Sequence, residues 1–376
     1  MPSTRFLHNV YAEIDLPAVT ENLAALRKLL RPGTKVMAVV KADGYGHGAV
    51  EIARRLMLEK VDFLGVANFS EALELRDKGI TLPILILSEI PHEVVPYSLG
   101  YKLSQTVYSM ELARDLSEVA CTHRTMARVH VKVDTGMGRV GIPYTEAAAF
   151  IKELTKLPHL SLEGIFTHFA KADDPRSPYT LQQLKRFTSV ISQLKKAGIG
   201  IPLSHAANSG GVIFFPATCL DMVRIGLSLY GLYPSAAAHK KVRLKPVLTL
   251  KTRVAHLKVV SKGEALGYGG TYRTQKDTRI ATLPVGYADG LPRTLSNRGV
   301  ALIRGQRYPI VGRISMDLTL VEVGGHAPVA RGDEVVLIGR QGKAHISADE
   351  VARLEGTINY EVVCRIGRRV PRVYKT

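Results

Sequence analysis

The chain has 376 residues, 46% hydrophobic and 22% charged, with a formal net charge of +18 and only three cysteines, Cys121, Cys219 and Cys364. That length exceeds one ordinary core and predicts a large domain with a smaller companion. The balance is that of a soluble globular protein, no apolar run reaches the ~18 residues of a membrane span, and widely spaced cysteines without a CxxC exclude a disulfide framework or a Cys-rich zinc site.

The start, "MPSTRFLHNVYAEIDL", has no apolar h-region and no small-residue cleavage site, which points to the cytoplasm. "IDLPAVTENLAALRKLL" then sets Leu16, Val19, Leu23, Leu26 and Leu30 on one helical stripe, with Asp15 as N-cap and Pro17 in the first turn. Short strand-like segments, several of them apolar runs, follow at 35–40, 63–67, 83–88, 102–108, 127–134, 162–168, 203–207 and 222–226. Helical patterns separate them, at 48–59, at 70–79 and most clearly at 177–198. There Leu181, Leu184, Phe187, Ile191 and Leu194 share a face, Ser177 caps and Gly198 terminates. Runs without alternation are strands buried on both faces, hence parallel, and eight βα units in this length predict a TIM (β/α)8 barrel over residues 1–240.

From 241 to 376 the pattern changes. "PVLTLKTRVAHLKVV", "RIATLPV", "VALIRG", "QRYPIVGR", "LTLVEV" and "DEVVLIG" are strands joined by Gly-rich turns, which predicts a mainly antiparallel β domain, with "PSAAAHKK" as linker. Here 24 Lys and Arg stand against 11 Asp and Glu, a net of +13, leaving +5 for the rest. The basic residues are scattered, so they read as a solvated surface and not as a nucleic-acid site.

Chemistry in a TIM barrel sits at the C-terminal ends of the strands. In "MAVVKADGYGHG" (37–48) Lys41 ends the first barrel strand, where a charge is costly if enclosed and a Schiff-base lysine has its use. "SHAANSGG" (204–211) follows the seventh strand and "RIGLSLYG" (224–231) the eighth, the two loops that bind phosphate in this fold. Strand eight closes on strand one, so phosphate site and lysine would be neighbours, which suggests pyridoxal phosphate. His47, His168 and His205 match no zinc spacing.

Nine stretches in order, "AVVKADGYGHG", "VKVDTGMGRVG", "THFAKAD", "HAANSGG", "VRIGLSLYG", "GYGGTY", "PVGYADG", "GRISMD" and "TINYE", resemble the motifs of alanine racemases, fold-type III pyridoxal-phosphate enzymes, over nearly the whole chain. The resemblance implies interconversion of L- and D-alanine in a cytoplasmic homodimer with active sites shared between subunits, supplying D-alanine for peptidoglycan. The alternative is a serine or broader-range racemase of the same fold. Lys41 would hold the cofactor and act as one base, with Tyr268 of the partner subunit as the other. Tyr45, Ser209, Gly226, Leu227 and Tyr360 would bind the phosphate, His168 and Asn208 would also contact the cofactor, and Arg224 would face the pyridine nitrogen. Arg139 and the backbone N–H of Met316 would hold the substrate carboxylate, and Tyr287 would narrow the entrance. Lys132 matches a lysine often carbamylated in the family, which steadies Arg139. His168 and His205 would link Tyr268 to Arg224, and Asp317 would orient the 312–317 loop. Gly44 and Ser315 depart from the usual alanine and cysteine. Related decarboxylases carry an acidic partner for the ring nitrogen and a Gly-Gly-Gly phosphate loop; Arg224 and "ANSGG" argue against that activity. Tyr268 and its β domain argue against a non-catalytic cofactor-binding protein, which would resemble the barrel alone.

Overall fold

The structure, a computed structural model, describes residues 9–325 and 327–376. The first eight residues, part of the stretch from which the absence of a leader was inferred, lie outside the described residues. The chain forms two compact units. One comprises Val19–Gly44 and Ala49–Lys245; the other gathers the N-terminal segment up to Ala18, Tyr45–Gly48 and Pro246–Thr376.

The first unit is a closed parallel barrel. Its strands are β2 (Lys35–Val39), β3 (Phe63–Val66), β4 (Ile84–Ile86), β5 (Ser104–Val107), β6 (Ala127–Asp134), β7 (Leu160–Phe166), β8 (Leu203–His205) and β9 (Met222–Ile225). They pair in chain order, and β9 closes on β2 with Arg224 opposite Met37. All eight coincide with the strand-like segments of the sequence. Met37, Phe63, Leu85, Leu203 and Met222 fill part of the interior as one apolar cluster.

The helix Tyr179–Lys196 departs from expectation. Its buried face is Thr180, Gln183, Phe187, Val190 and Leu194, while Leu181 is exposed. The apolar stripe is rotated because Gln183 is taken inward for its hydrogen bonds. Pro178 occupies the cap position and Ser177 accepts only from the Tyr179 N–H at 3.3 Å. Gly198 ends the helix at φ 74° as expected.

The second unit carries a sheet ordered β14 (Gln306–Pro309), β13 (Val300–Ile303), β16 (Glu334–Gln341), β10 (Leu248–Arg253), β1 (Val10–Asp15) and β18 (Arg372–Lys375), with β17 (Ala344–Ile346) on β16. A second sheet joins β11 (His256–Val260), β12 (Thr278–Leu283) and β15 (Thr319–Glu322). All these pairings are antiparallel except β1 with β18. β1 therefore belongs here, although the sequence placed residues 1–240 together. Glu13 on β1 is buried and pairs with Lys375 at 2.5 Å and Lys251 at 3.3 Å, a reason for the strand to sit between theirs. Two helices, Ala348–Glu355 and Asn359–Cys364, were not expected. Among the described residues no helix is long and apolar enough to cross a membrane.

Candidate active site

Lys41 leaves β2 into a left-handed turn. Ala42, Asp43, Gly44 and Tyr45 all take left-handed backbone, φ between 52° and 60°. For residues with a Cβ this is strained, and neighbours must hold it. The Ala42 N–H donates to Glu71 at 2.8 Å, and Asp43 accepts from the Ala49 N–H at 2.8 Å, fixing the start of the next helix. Gly44 suits its conformation, and a Cβ there would press on Ala49 at 3.3 Å. That is a local reason for glycine at this position.

The period-two pattern of "ARVHVKVD" splits β6: Val129, Val131 and Val133 are fully buried, and His130 and Lys132 lie between them, also buried. Burial, then the charges of Arg224, Arg139 and Lys41, lower the Lys132 pKa to about 8. Its Nζ lies 5.2 Å from the Phe166 ring centroid, and the Arg224 guanidinium lies as far from the same ring. The loop after β6 is built around Asp134, which accepts from the N–H groups of Gly136, Met137 and Gly138. Gln183 reaches it by donating to Thr135 at 3.2 Å and to the His168 carbonyl at 3.0 Å. Arg186 donates to the Thr135 carbonyl at 2.8 Å. The exposed Arg139 is thus presented on an ordered loop.

Arg224, on β9, is 4% exposed. It donates to the carbonyls of His205, Thr167 and Ala206, to His205 Nδ1 at 3.0 Å and to His168 Nδ1 at 3.3 Å. Burial lowers its pKa to about 9, so it remains a cation at neutral pH. His168 is held neutral, well below its ordinary pKa, by burial and then by Arg224, Lys132, Arg139 and Lys41. Four basic side chains from three strands, β2, β6 and β9, and the segments that follow them therefore act on one neutral imidazole. Such a cluster suits an anionic ligand.

The loops after β8 and β9 meet. Asn208 caps the short helix Ser209–Phe214 by accepting from the Gly211 N–H at 2.9 Å. The buried Ser209 hydroxyl accepts from the Ser228 N–H at 3.3 Å, in the turn that follows Gly226 and Leu227. Gly210 and Gly211 are packed closely against Ala172 and Thr218, while the Ser209 hydroxyl and the backbone N–H groups of these loops are donors of the kind a phosphate takes.

The remaining candidates lie in the second unit. Tyr45 and Tyr360 face each other with ring centroids 6.2 Å apart. His47 is buried with Nδ1 2.8 Å from the Tyr45 carbonyl, so it shapes the loop. The Gly46 carbonyl accepts twice from Arg372, at 3.0 and 2.9 Å. Tyr287 and Met316 are joined through backbone, with the Tyr287 N–H on the Ser315 carbonyl and the Ala288 N–H on the Met316 carbonyl. A Cβ on Gly286 would meet both carbonyls at 2.3 Å, which requires glycine there. Arg369 bridges Asp317 and Asp289, each at 2.7 Å. Tyr268 rises from a turn with left-handed glycines at 267, 269 and 270 and is 69% exposed.

Missed from the sequence was Gln183, whose inward placement breaks the helical stripe. The polar residues alternating through β6 were the available signal for His130.

The family model for the alanine racemase N-terminal domain matches residues 14–234, and that for the C-terminal domain residues 247–374. The chain is 49% identical to the alanine racemase of Desulfosudis oleivorans, covering 97% of this chain and 96% of the relative. The structure of the Clostridium difficile 630 alanine racemase superposes with a TM-score of 0.94 at 42% identity, covering 98% of this chain and 96% of that one. That of Bartonella henselae, with covalently bound pyridoxal phosphate, does so at 0.87 and 30% identity, covering 98% and 100%. With both domain models matched in order over a TIM barrel and an antiparallel β domain, the chain belongs to the alanine racemase family, isomerases that act on amino acids.

Proposed function

We propose that the chain interconverts L- and D-alanine with pyridoxal phosphate by exchange between two bases, Lys41 and the Tyr268 of a second copy. The observation that carries this is the basic cluster of Lys41, Lys132, Arg139 and Arg224 around neutral His168. Its residue types suit the cofactor: a lysine on a held turn, a guanidinium from the barrel wall, and hydroxyl and backbone N–H groups at Ser209 and Gly226–Leu227. Tyr45 and Tyr360 would add hydroxyls to that phosphate.

When bound, the cofactor withdraws electrons from the substrate Cα and acidifies its proton. Lys41 Nζ and Tyr268 Oη stand for opposite faces of Cα, one taking the proton and the other returning one. Both residue types ordinarily titrate near pH ~10, so each needs cations nearby to act at neutral pH. Arg224, which keeps its proton, would donate a hydrogen bond to the ring nitrogen without protonating it, and would so limit how far charge spreads into the ring. That favours proton exchange at Cα over side reactions. Arg139 and the Met316 N–H hold the substrate carboxylate, Tyr287 limits the side chain admitted, and Asp317 acts through Arg369 to set the Met316 loop. Lys132 becomes partly neutral from about pH 8, which makes its amine open to addition of carbon dioxide. The carbamate, formed with loss of one proton, would place an anion beside Arg139. Supply of D-alanine for peptidoglycan, in the cytoplasm, follows as the biological role.

Incubation of the cofactor-loaded protein with L-alanine, and separately L-serine, followed by chiral analysis of the products, tests this. D-alanine should dominate. Faster formation of D-serine would replace alanine as substrate, and absence of either D-amino acid would overturn the activity.

A further inference from the structure

Arg224 is a buried cation whose direct partners are three carbonyls and two imidazoles; among the described residues no carboxylate pairs with it. A charge so placed needs compensation from somewhere. His205 leads away from it into the barrel. Its Nε2 lies 2.9 Å from His130 Nδ1, and His130 Nε2 lies 3.0 Å from Glu163 Oε2. Glu163 also accepts from the Ser104 hydroxyl at 2.5 Å and lies 3.9 Å from Arg128. Ser104 begins β5 and Arg128 lies near the start of β6, so this carboxylate sits towards the floor of the barrel, with its side chain 20% exposed.

The protons on this line have only one order. A guanidinium can only donate, so His205 Nδ1 accepts and its Nε2 bears the hydrogen. That hydrogen goes to His130 Nδ1, which leaves the His130 hydrogen on Nε2, pointing at the Glu163 carboxylate. Both imidazoles are then neutral donors facing the same way, with a cation at one end and an anion at the other. Burial lowers the pKa of both histidines, in keeping with neutrality. Burial works to raise that of Glu163, but its bonds from His130 and Ser104 prevail and keep it ionised.

The backbone is shaped for this line. The β6–β7 register shifts between Val129 and His130, so that Leu162 and Gly164 pair with consecutive residues of β6 and Glu163 is the extra residue. Such a bulge re-aims side chains. A Cβ on Gly164 would lie 2.6 Å from His130 Nδ1, so only glycine lets the ring cross to His205. Phe166 stacks on His205 at 4.9 Å with an interplanar angle of 4°, fixing that ring.

We propose that Glu163 and His130 are positioning residues of this isomerase: through His205 they orient Arg224 and provide its counter-charge from the floor of the barrel. The effect on the cofactor rests on the assignment of Arg224 to the ring nitrogen; the proton order does not. Selective 15N labelling of histidine reads the order directly. In the cofactor-loaded protein, and equally without cofactor, His130 and His205 should each carry the proton on Nε2 and stay neutral from pH 6 to 9. A proton on Nδ1 of either ring, or a charged ring at pH 7, would overturn the proposal. Glu163→Gln keeps an acceptor and removes the charge, Glu163→Leu removes both, and Glu163→Asp restores the charge. In the first two the pH midpoint of the cofactor's visible absorption should fall by about half a pH unit, with KM nearly unchanged, and Glu163→Asp should return part of it. Titrations of folded Glu163→Gln protein that overlay the wild type would overturn the role of the charge, whether or not Glu163→Leu folds. If pyridoxal phosphate produces no visible band, the cofactor assignment fails, while the histidine resonances still decide the line.

Discussion

The candidate groups in the barrel and those in the β unit are held in opposite ways. Arg224 is 4% exposed with both terminal nitrogens hydrogen-bonded to the barrel, His205 is stacked and its tautomer follows from its donors, and Lys41 leaves from a strained turn held by Glu71 and Asp43. In the β unit the backbone is equally held, by Gly286 and Arg369, but the side chains are open: Tyr268 is 69% exposed, Met316 52% and Tyr287 43%. The barrel candidates are pre-organised by burial; those of the β unit are exposed on a firm backbone. A second copy of the chain is the occupant that the shared-site proposal requires.

The largest expected effect breaks the division between the halves. Lys41→Ala and Tyr268→Ala should each abolish racemisation, and subunit exchange between them should restore about a quarter of wild-type activity, since half of randomly paired dimers would carry one intact site of two. Mixtures that stay as inactive as their components would remove the shared site. Next, Gly44→Val forces a β-branched residue into left-handed backbone against Ala49 and should cost about 3 kcal/mol in urea unfolding. A loss under ~1 kcal/mol would show the turn to be softer than its hydrogen bonds suggest.

Lys132 sharpens the contrast through pH. Its folded pKa, about 8, lies below the ordinary lysine value of 10.5, so the folded state disfavours the proton. The cost is fully present below pH 8 and is relieved as pH rises towards 10.5, where both states lose the proton; stability from this group therefore increases with pH over that window. In buffer free of carbon dioxide, Lys132→Gln should be more stable than wild type by about 2 kcal/mol at pH 7, and the advantage should shrink above pH 8. A pH-independent difference would show that packing, not charge, governs the site. The smallest effects lie on one helix: Gln183→Leu should cost about 1–2 kcal/mol by leaving the His168 carbonyl and the Ala170 N–H without their partner, whereas exposed Leu181→Lys should change stability by under ~0.5 kcal/mol. Equal losses at both positions would contradict the rotated face.

The eight barrel strands, the antiparallel pattern after 240, and Lys41 and Arg224 at strand ends were legible in the sequence. Uninterrupted apolar runs and Gly-terminated helices are local signals, and short βα spacing leaves few ways to close a sheet. β1 was not legible as part of the β unit, because its pairing with β10 and β18 spans more than 200 residues and depends on the ion pairs of Glu13. Nor was the rotation of the Gln183 helix, since a stripe of leucines carries no record of a glutamine's buried partners. His130 was visible as a polar residue alternating with valines, but Glu163 was not, because a one-residue bulge shifts the alternation on β7 and only the paired register shows it. Local periodicity thus determined which elements form and where a lysine and an arginine would meet the barrel rim. The direction of each buried hydrogen bond, and so which groups hold charge, was decided only in the tertiary structure, where burial leaves each donor one acceptor to find.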